Sequence, residues 1–188
     1  MTAEDIFRRV VGALDSAGIP YMLTGSFASS FHGAPRATQD IDIVIASTAA
    51  QIRALVKSLP PDEYYVDLDT ALDAQRREGQ FNIIDFGSGW KVDLIVRKSR
   101  PFSREEFDRR NSVDMLGMQL SIASAEDVIV AKLEWAKLGE SQRQVDDAVG
   151  ILKIRADQLD LPYIRRWVRE LDIEAQWQTA CAAAAIPA

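Results

Sequence analysis

The stretch Asp40-Ile41-Asp42-Ile43-Val44-Ile45 constrains this chain more than any other. Acid and isoleucine alternate through its first half, and branched apolar residues complete it. That is the pattern of a strand with one buried face. Ile41, Ile43 and Ile45 point one way, and Asp40 and Asp42 point the other. Residues two apart on a strand lie roughly 6.5 Å apart and share a face. The chain must therefore build a sheet whose one side rests on a core and whose other side opens on a pair of acids. Two carboxylates so placed can share one divalent metal or hold two neighbouring ones. They also repel each other. The alternative is an exposed strand edge on which both acids are solvated.

Two other stretches bear on that choice. Tyr21-Met22-Leu23-Thr24 reads as a strand that ends in the small-residue turn Gly25-Ser26. Ser26 is expected to cap a short helix through Phe31. A helix start just after a glycine offers free backbone N–H groups and a positive dipole end, which suits phosphate. An ordinary strand-to-helix connection explains it as well. The run Lys91-Val92-Asp93-Leu94-Ile95-Val96 sets Asp93 among apolar neighbours. An acid there needs a partner, and a metal shared with Asp40 and Asp42 would supply one.

Around these stretches, helices are expected over 2–17, 48–59, 69–77 and 103–110. A hairpin is expected from 81–86 and 90–96, a second one around Gly117, and a short strand at 64–66. From Ser124 onward every pattern is helical. The fold class read from this order is α+β, a small mixed β-sheet with flanking helices and a helical C-terminal extension. The expected division is a core over 1–122 and a helical region over 123–188 packed on it.

Composition narrows the function classes. With 47% hydrophobic residues in 188, a packed core is expected. The single cysteine, Cys181, allows no internal disulfide and fits a reducing compartment. Residues 1–13 are charged and amphipathic, and no run approaches a membrane span, so a soluble, cytoplasmic protein without a membrane partner is expected. The net charge of −6 argues against broad, field-driven nucleic-acid binding, and DNA is not an expected partner. The clusters Arg97, Lys98, Arg100, Arg104 and Arg165, Arg166, Arg169 read as solvated faces. His32 is the sole histidine, which excludes a histidine-based metal cluster. It reads as a turn residue in a loop from 32 to 39.

Taken together, Thr24-Gly25-Ser26, Asp40-Ile41-Asp42 and Asp93 resemble the signature of the DNA polymerase β-like nucleotidyltransferase superfamily, with thirteen residues between Ser26 and Asp40. Thr24 departs from it, standing where the pattern has an apolar residue. His32-Gly33-x-Pro35-Arg36-x-Thr38, the hairpin to Val96, Lys132 and Asp146-Asp147 are similar to the AbiEii-type and minimal bacterial branches. Those branches include toxins that modify tRNA and antitoxins that nucleotidylate a partner toxin.

The resemblance implies a transfer, dependent on Mg²⁺ or Mn²⁺, of a nucleoside monophosphate from an NTP to a macromolecular acceptor, tRNA or protein. A role in a toxin–antitoxin system is among its implications. Asp40, Asp42 and Asp93 would be the catalytic, metal-binding residues. Gly25 and Ser26 would meet the phosphates. Lys132 lies inside the apolar stripe of its helix, so it is either a snorkelling lysine or one aimed at triphosphate. Arg36 and Thr38 are open to a phosphate or a loop role. Asp146 and Asp147 read as surface carboxylates. The competing function is a catalytically idle module of the same fold that binds nucleotide or a partner.

Overall fold

The computed structural model describes residues 3–38, 40–115 and 117–187. Helix α1 (Ala3–Ser16) buries Ile6, Phe7, Val10 and Leu14 along one stripe and leaves Arg8 and Arg9 outside. Strand β1 (Tyr21–Thr24) follows, then α2 (Gly25–His32) and β2 (Asp40–Ile45). Next come α3 (Ala49–Ser58), β3 (Tyr64–Tyr65) and α4 (Leu68–Arg77). Strands β4 (Gln80–Asp85) and β5 (Lys91–Val96) form the expected hairpin. Helix α5 (Pro101–Asp108) and the hairpin β6 (Asn111–Met115) and β7 (Met118–Ile122) close this part. Leu116, expected to end the first strand of this hairpin (113–116), lies outside the described residues.

The seven strands among the described residues make one sheet in the order β3-β4-β5-β2-β1-β7-β6. It is mixed: β2 runs parallel to β5 and β1 to β7, whereas the hairpins are antiparallel. One face of its centre is apolar throughout. Ile41, Ile43 and Ile45 of β2, Val92, Leu94 and Val96 of β5, and Phe81 and Ile83 of β4 are all buried. Each apolar row continues across the strands, because Ile41 pairs with Val92 and Val92 with Ile83. A slip of one residue would turn this face to water and the acids to the core, so the pattern pins the register.

After β7 the chain is helical: α6 (Ala125–Gly139), α7 (Gln142–Arg155), a 3₁₀ turn over 156–158, α8 (Leu161–Glu170) and α9 (Glu174–Ala184). Ser124 caps α6 by accepting from the Asp127 N–H, and Asp160 caps α8 in the same way through Tyr163. The α+β class read from the sequence is the one observed.

The chain forms two compact units. The first is Met1–Leu23 with Thr38–Ile122 and holds the sheet, α1 and α3–α5. The second is Thr24–Ala37 with Ala123–Ala188 and holds α2 and α6–α9. In the second unit α7 packs on α6, α9 and α2, where Ile129, Leu133, Ile151, Leu152 and Trp177 are buried. No helix among the described residues is long and apolar enough to cross a membrane.

Two local expectations are corrected. Ser26 does not cap α2, because the helix begins two residues earlier than such a cap would set it and Thr24 occupies the cap position. Gly25, at φ +62°, makes that early start possible, since other residues resist this conformation. His32 is not a loop residue. It ends α2, buried, and donates from Nε2 to the Ala123 carbonyl at 2.7 Å.

Candidate functional site

In the first unit the polar face of the sheet carries a short grid of side chains. Asp42 of β2 is directly in register with Asp93 of β5, which is in register with Asn82 of β4. One step back on the same face, Asp40 is in register with Lys91. Parallel pairing puts such partners side by side on one face of the sheet. Asp42 and Asp93 are half-buried, and Asp40 is exposed. Thr38 braces the entry to β2, accepting from the Asp40 N–H at 3.3 Å and donating to the Asp40 carbonyl at 3.2 Å.

Lys91 sits among these acids. Its Nζ stands 2.9 Å from an Asp93 oxygen and 3.5 Å from an Asp40 oxygen. The hydrogen bond to Asp93 is the main cause that raises the Lys91 pKa, partly opposed by desolvation and helped by both carboxylate charges. Among the described residues, no three His, Cys, Asp or Glu side chains are gathered closely enough to hold a metal ion as they stand. The donor set is nonetheless all oxygen and already shares one cation, the ammonium. In donor type and face, Asp40, Asp42 and Asp93 fit a hard divalent cation such as Mg²⁺.

The second unit carries its own charged cluster. Asp147 of α7 accepts from Arg36 Nε at 2.7 Å and from Arg36 Nη2 at 3.0 Å. Its second oxygen also meets Lys132 Nζ of α6 at 2.7 Å. Arg36 Nη2 donates as well to the Ser26 hydroxyl. Burial pushes the Asp147 carboxyl up, but the hydrogen bonds from Arg36 and Lys132 outweigh it and hold the group below the ordinary aspartate value. The arrangement places two cations and one hydroxyl around one buried carboxylate, with Arg36 partly exposed.

No protein-family model matches the chain, and no curated protein matches it. Solved structures do. A nucleotidyltransferase-like antigenic protein from Paracoccidioides brasiliensis is 16% identical, with 98% of this chain and 94% of that chain covered and a TM-score of 0.58. ANT(2'')-Ia in complex with adenylyl-2''-tobramycin is 12% identical, with 93% and 99% covered and a TM-score of 0.60. The lincosamide antibiotic adenylyltransferase LnuA, lincomycin-bound, is 12% identical, with 80% and 98% covered and a TM-score of 0.51. The fold is that of the nucleotidyltransferases.

On this nucleotidyltransferase fold the residues singled out from the sequence fall into two groups. Asp40, Asp42 and Asp93 lie together on one face of the sheet. Ser26 and Lys132 lie in the second unit and are linked through Arg36 and Asp147. Gly25 starts α2. Lys132 is not a snorkelling residue, because its side chain is 6% exposed and its ammonium is paired inside. Asp147 is not a surface carboxylate, since it is equally buried. Asp146 is exposed and accepts from Gln142 one turn earlier.

Sequence reasoning missed Lys91 altogether. The signal was present: Lys91 precedes Asp93 by two positions, so the strand period puts both on one face. It left Arg36 open between two roles. The separation of Arg36 from Asp147 by 111 positions explains why no local pattern joined them.

Proposed function

We infer that the chain is a nucleotidyltransferase that moves a nucleoside monophosphate from an NTP to an acceptor hydroxyl. The single observation that carries this reading is the register of Asp42 against Asp93, with Asp40 two residues before, on the open face of a nucleotidyltransferase-type sheet. A bond forms between the acceptor oxygen and the α-phosphorus, the hydroxyl's O–H bond breaks and its proton passes to water, the bond from that phosphorus to the oxygen bridging to the β-phosphate breaks, and pyrophosphate leaves. Asp40, Asp42 and Asp93 would hold Mg²⁺ or Mn²⁺, which supplies charge neutralisation at the attacking and leaving oxygens. Ser26 offers a hydroxyl and a backbone N–H near the start of α2, and Gly25 lets the backbone approach a phosphate closely. Lys132 and Arg36 supply cationic charge, tied by Asp147 so that neither has to be ordered when nucleotide arrives.

The acceptor implied by the AbiEii-type and minimal branches is a macromolecule, tRNA or a protein, in a toxin–antitoxin setting. One observation favours a second acceptor class. The net charge of −6 repels a polyanion and attracts a small polycation, and ANT(2'')-Ia, of the same fold, is complexed with an adenylylated aminoglycoside. Purified protein incubated with each α-labelled NTP, Mg²⁺ and, in turn, total RNA, lysate protein, aminoglycosides and lincosamides separates these acceptors. Label on one class, lost in Asp42→Asn, supports transfer to that class. Nucleotide binding without label on any acceptor would instead make the chain a binding module.

A further inference from the structure

Lys91 carries a positive charge into the grid of Asp40, Asp42 and Asp93. It is placed there by the sheet rather than by chance of rotamer. Parallel pairing sets it beside Asp40, and the strand period sets it on the face of Asp93. Its ammonium touches both acids, at 3.5 and 2.9 Å, while the side chain stays 38% exposed. An exposed lysine on a flexible stem can leave such a pair at low cost. The oxygens it touches are the ones a divalent cation would need. Lys91 offsets only part of the charge of Asp40 and Asp93, so the two acids still attract a divalent cation while the lysine is seated.

We propose that Lys91 is a tethered cation that competes with the metal for Asp40 and Asp93. The proposal rests on the metal role of those acids. In metal-free protein the ammonium relieves the repulsion among the carboxylates. Metal binding exchanges it for the divalent ion, and the displaced ammonium then needs an anion. A triphosphate supplies one, so metal and nucleotide load together and metal alone binds weakly. A lysine that merely stitched β2 to β5 would stabilise the sheet without opposing the metal.

The test is Mn²⁺ binding, read by the loss of the free-ion paramagnetic signal, for the wild type, Lys91→Met, Lys91→Gln, Lys91→Arg and Asp42→Asn. Lys91→Met and Lys91→Gln are expected to bind Mn²⁺ about fivefold tighter, the scale of removing one half-screened charge. Lys91→Arg should stay near the wild type, because it keeps the charge. Both neutral variants should melt lower than the wild type in EDTA and gain more from Mn²⁺. Unchanged Mn²⁺ affinity in Lys91→Met and Lys91→Gln, with binding abolished in Asp42→Asn, overturns the competition and leaves the metal site standing. Absence of Mn²⁺ binding in every variant, with and without a non-hydrolysable NTP, overturns both.

Discussion

Lys132 reaches Asp147 across 2.7 Å, from one helix to the next, with both side chains 6% exposed. A buried lysine on an apolar stripe is costly to charge unless it is paired, and a buried aspartate is costly for the same reason. Each therefore makes the other tolerable. Arg36 adds a two-pronged contact to the same carboxylate. The consequence is that these residues are linked, and replacing one alters the state of the others. Methionine at 132 keeps the stem's packing, but it also leaves Asp147 with one cation fewer.

The first prediction is a loss of stability in acid traceable to Asp147. Its folded pKa is depressed, by hydrogen bonds from Arg36 and Lys132 that outweigh burial. For a depressed carboxylate, the stabilisation is complete above the unfolded value of about 3.9 and is lost as pH falls through the folded value. Urea denaturation of the wild type and Asp147→Asn across pH 6 to 2 reads this. The difference between them should be constant at the upper end and should shrink below about pH 4. A difference that stays constant down to pH 2 would contradict the ion pairs.

His32 titrates in a separate window. Burial is the main cause that lowers its pKa, with Arg155 adding to it and the Ala123 hydrogen bond opposing. The folded state thus prefers the neutral ring, and Nε2 carries the proton that it donates to Ala123. Stability is complete above the unfolded value of about 6.5 and declines as pH falls toward the folded value. His32→Gln keeps a donor and removes the titration. The wild type should lose stability between pH 7 and 5 relative to His32→Gln, and parallel curves would refute the buried neutral histidine.

Gly33 makes a third prediction, one of packing. A Cβ there would meet the backbone N of Ile151 at 2.7 Å and the backbone C of Gly150 at 2.9 Å. Backbone cannot swing aside as a side-chain tip can. Gly33→Ala should cost about 1–3 kcal/mol, the usual range for overpacking. Gly79→Ala is the control, because its nearest neighbour would stand at an ordinary 3.7 Å. Equal melting temperatures for Gly33→Ala and the wild type would show that α2 and α7 can separate there without cost.

Much of the sheet was legible because its signals are local. Alternation assigned the faces of β2 and β5, and the neighbouring runs 81–86 and 90–96 marked the hairpin of β4 and β5. The acids Asp40, Asp42 and Asp93 were visible for the same reason. What the sequence withheld is pairing over distance. Nothing local says that Asp42 lies beside Asp93 rather than one residue along, because that depends on how strands 51 positions apart align. Asp147 looked like a surface acid since it flanks the apolar stripe of its helix. Its burial depends on Arg36 and Lys132 arriving from α6 and from the segment after α2. His32 looked like a turn residue because Gly33 follows it, yet the loop begins only at Gly33, which also makes a close contact with α7.

The last prediction concerns how Arg36 and Lys132 share Asp147. With either cation removed, the carboxylate keeps a charged partner. With both removed, it is buried with neither. Lys132→Met and Arg36→Met should therefore each cost about 1–3 kcal/mol, the scale of one charge-assisted bond. The double variant should cost more than their sum, because only there must the carboxylate be protonated or left uncompensated. Adding Asp147→Asn to the double variant should recover part of the loss, since the amide carries no charge to bury. Chemical denaturation of the wild type, the two single variants and the double variant closes the cycle, and the triple variant reads the recovery. Strict additivity, or no recovery with asparagine, would mean that the two cations act on separate partners and that Asp147 does not couple them.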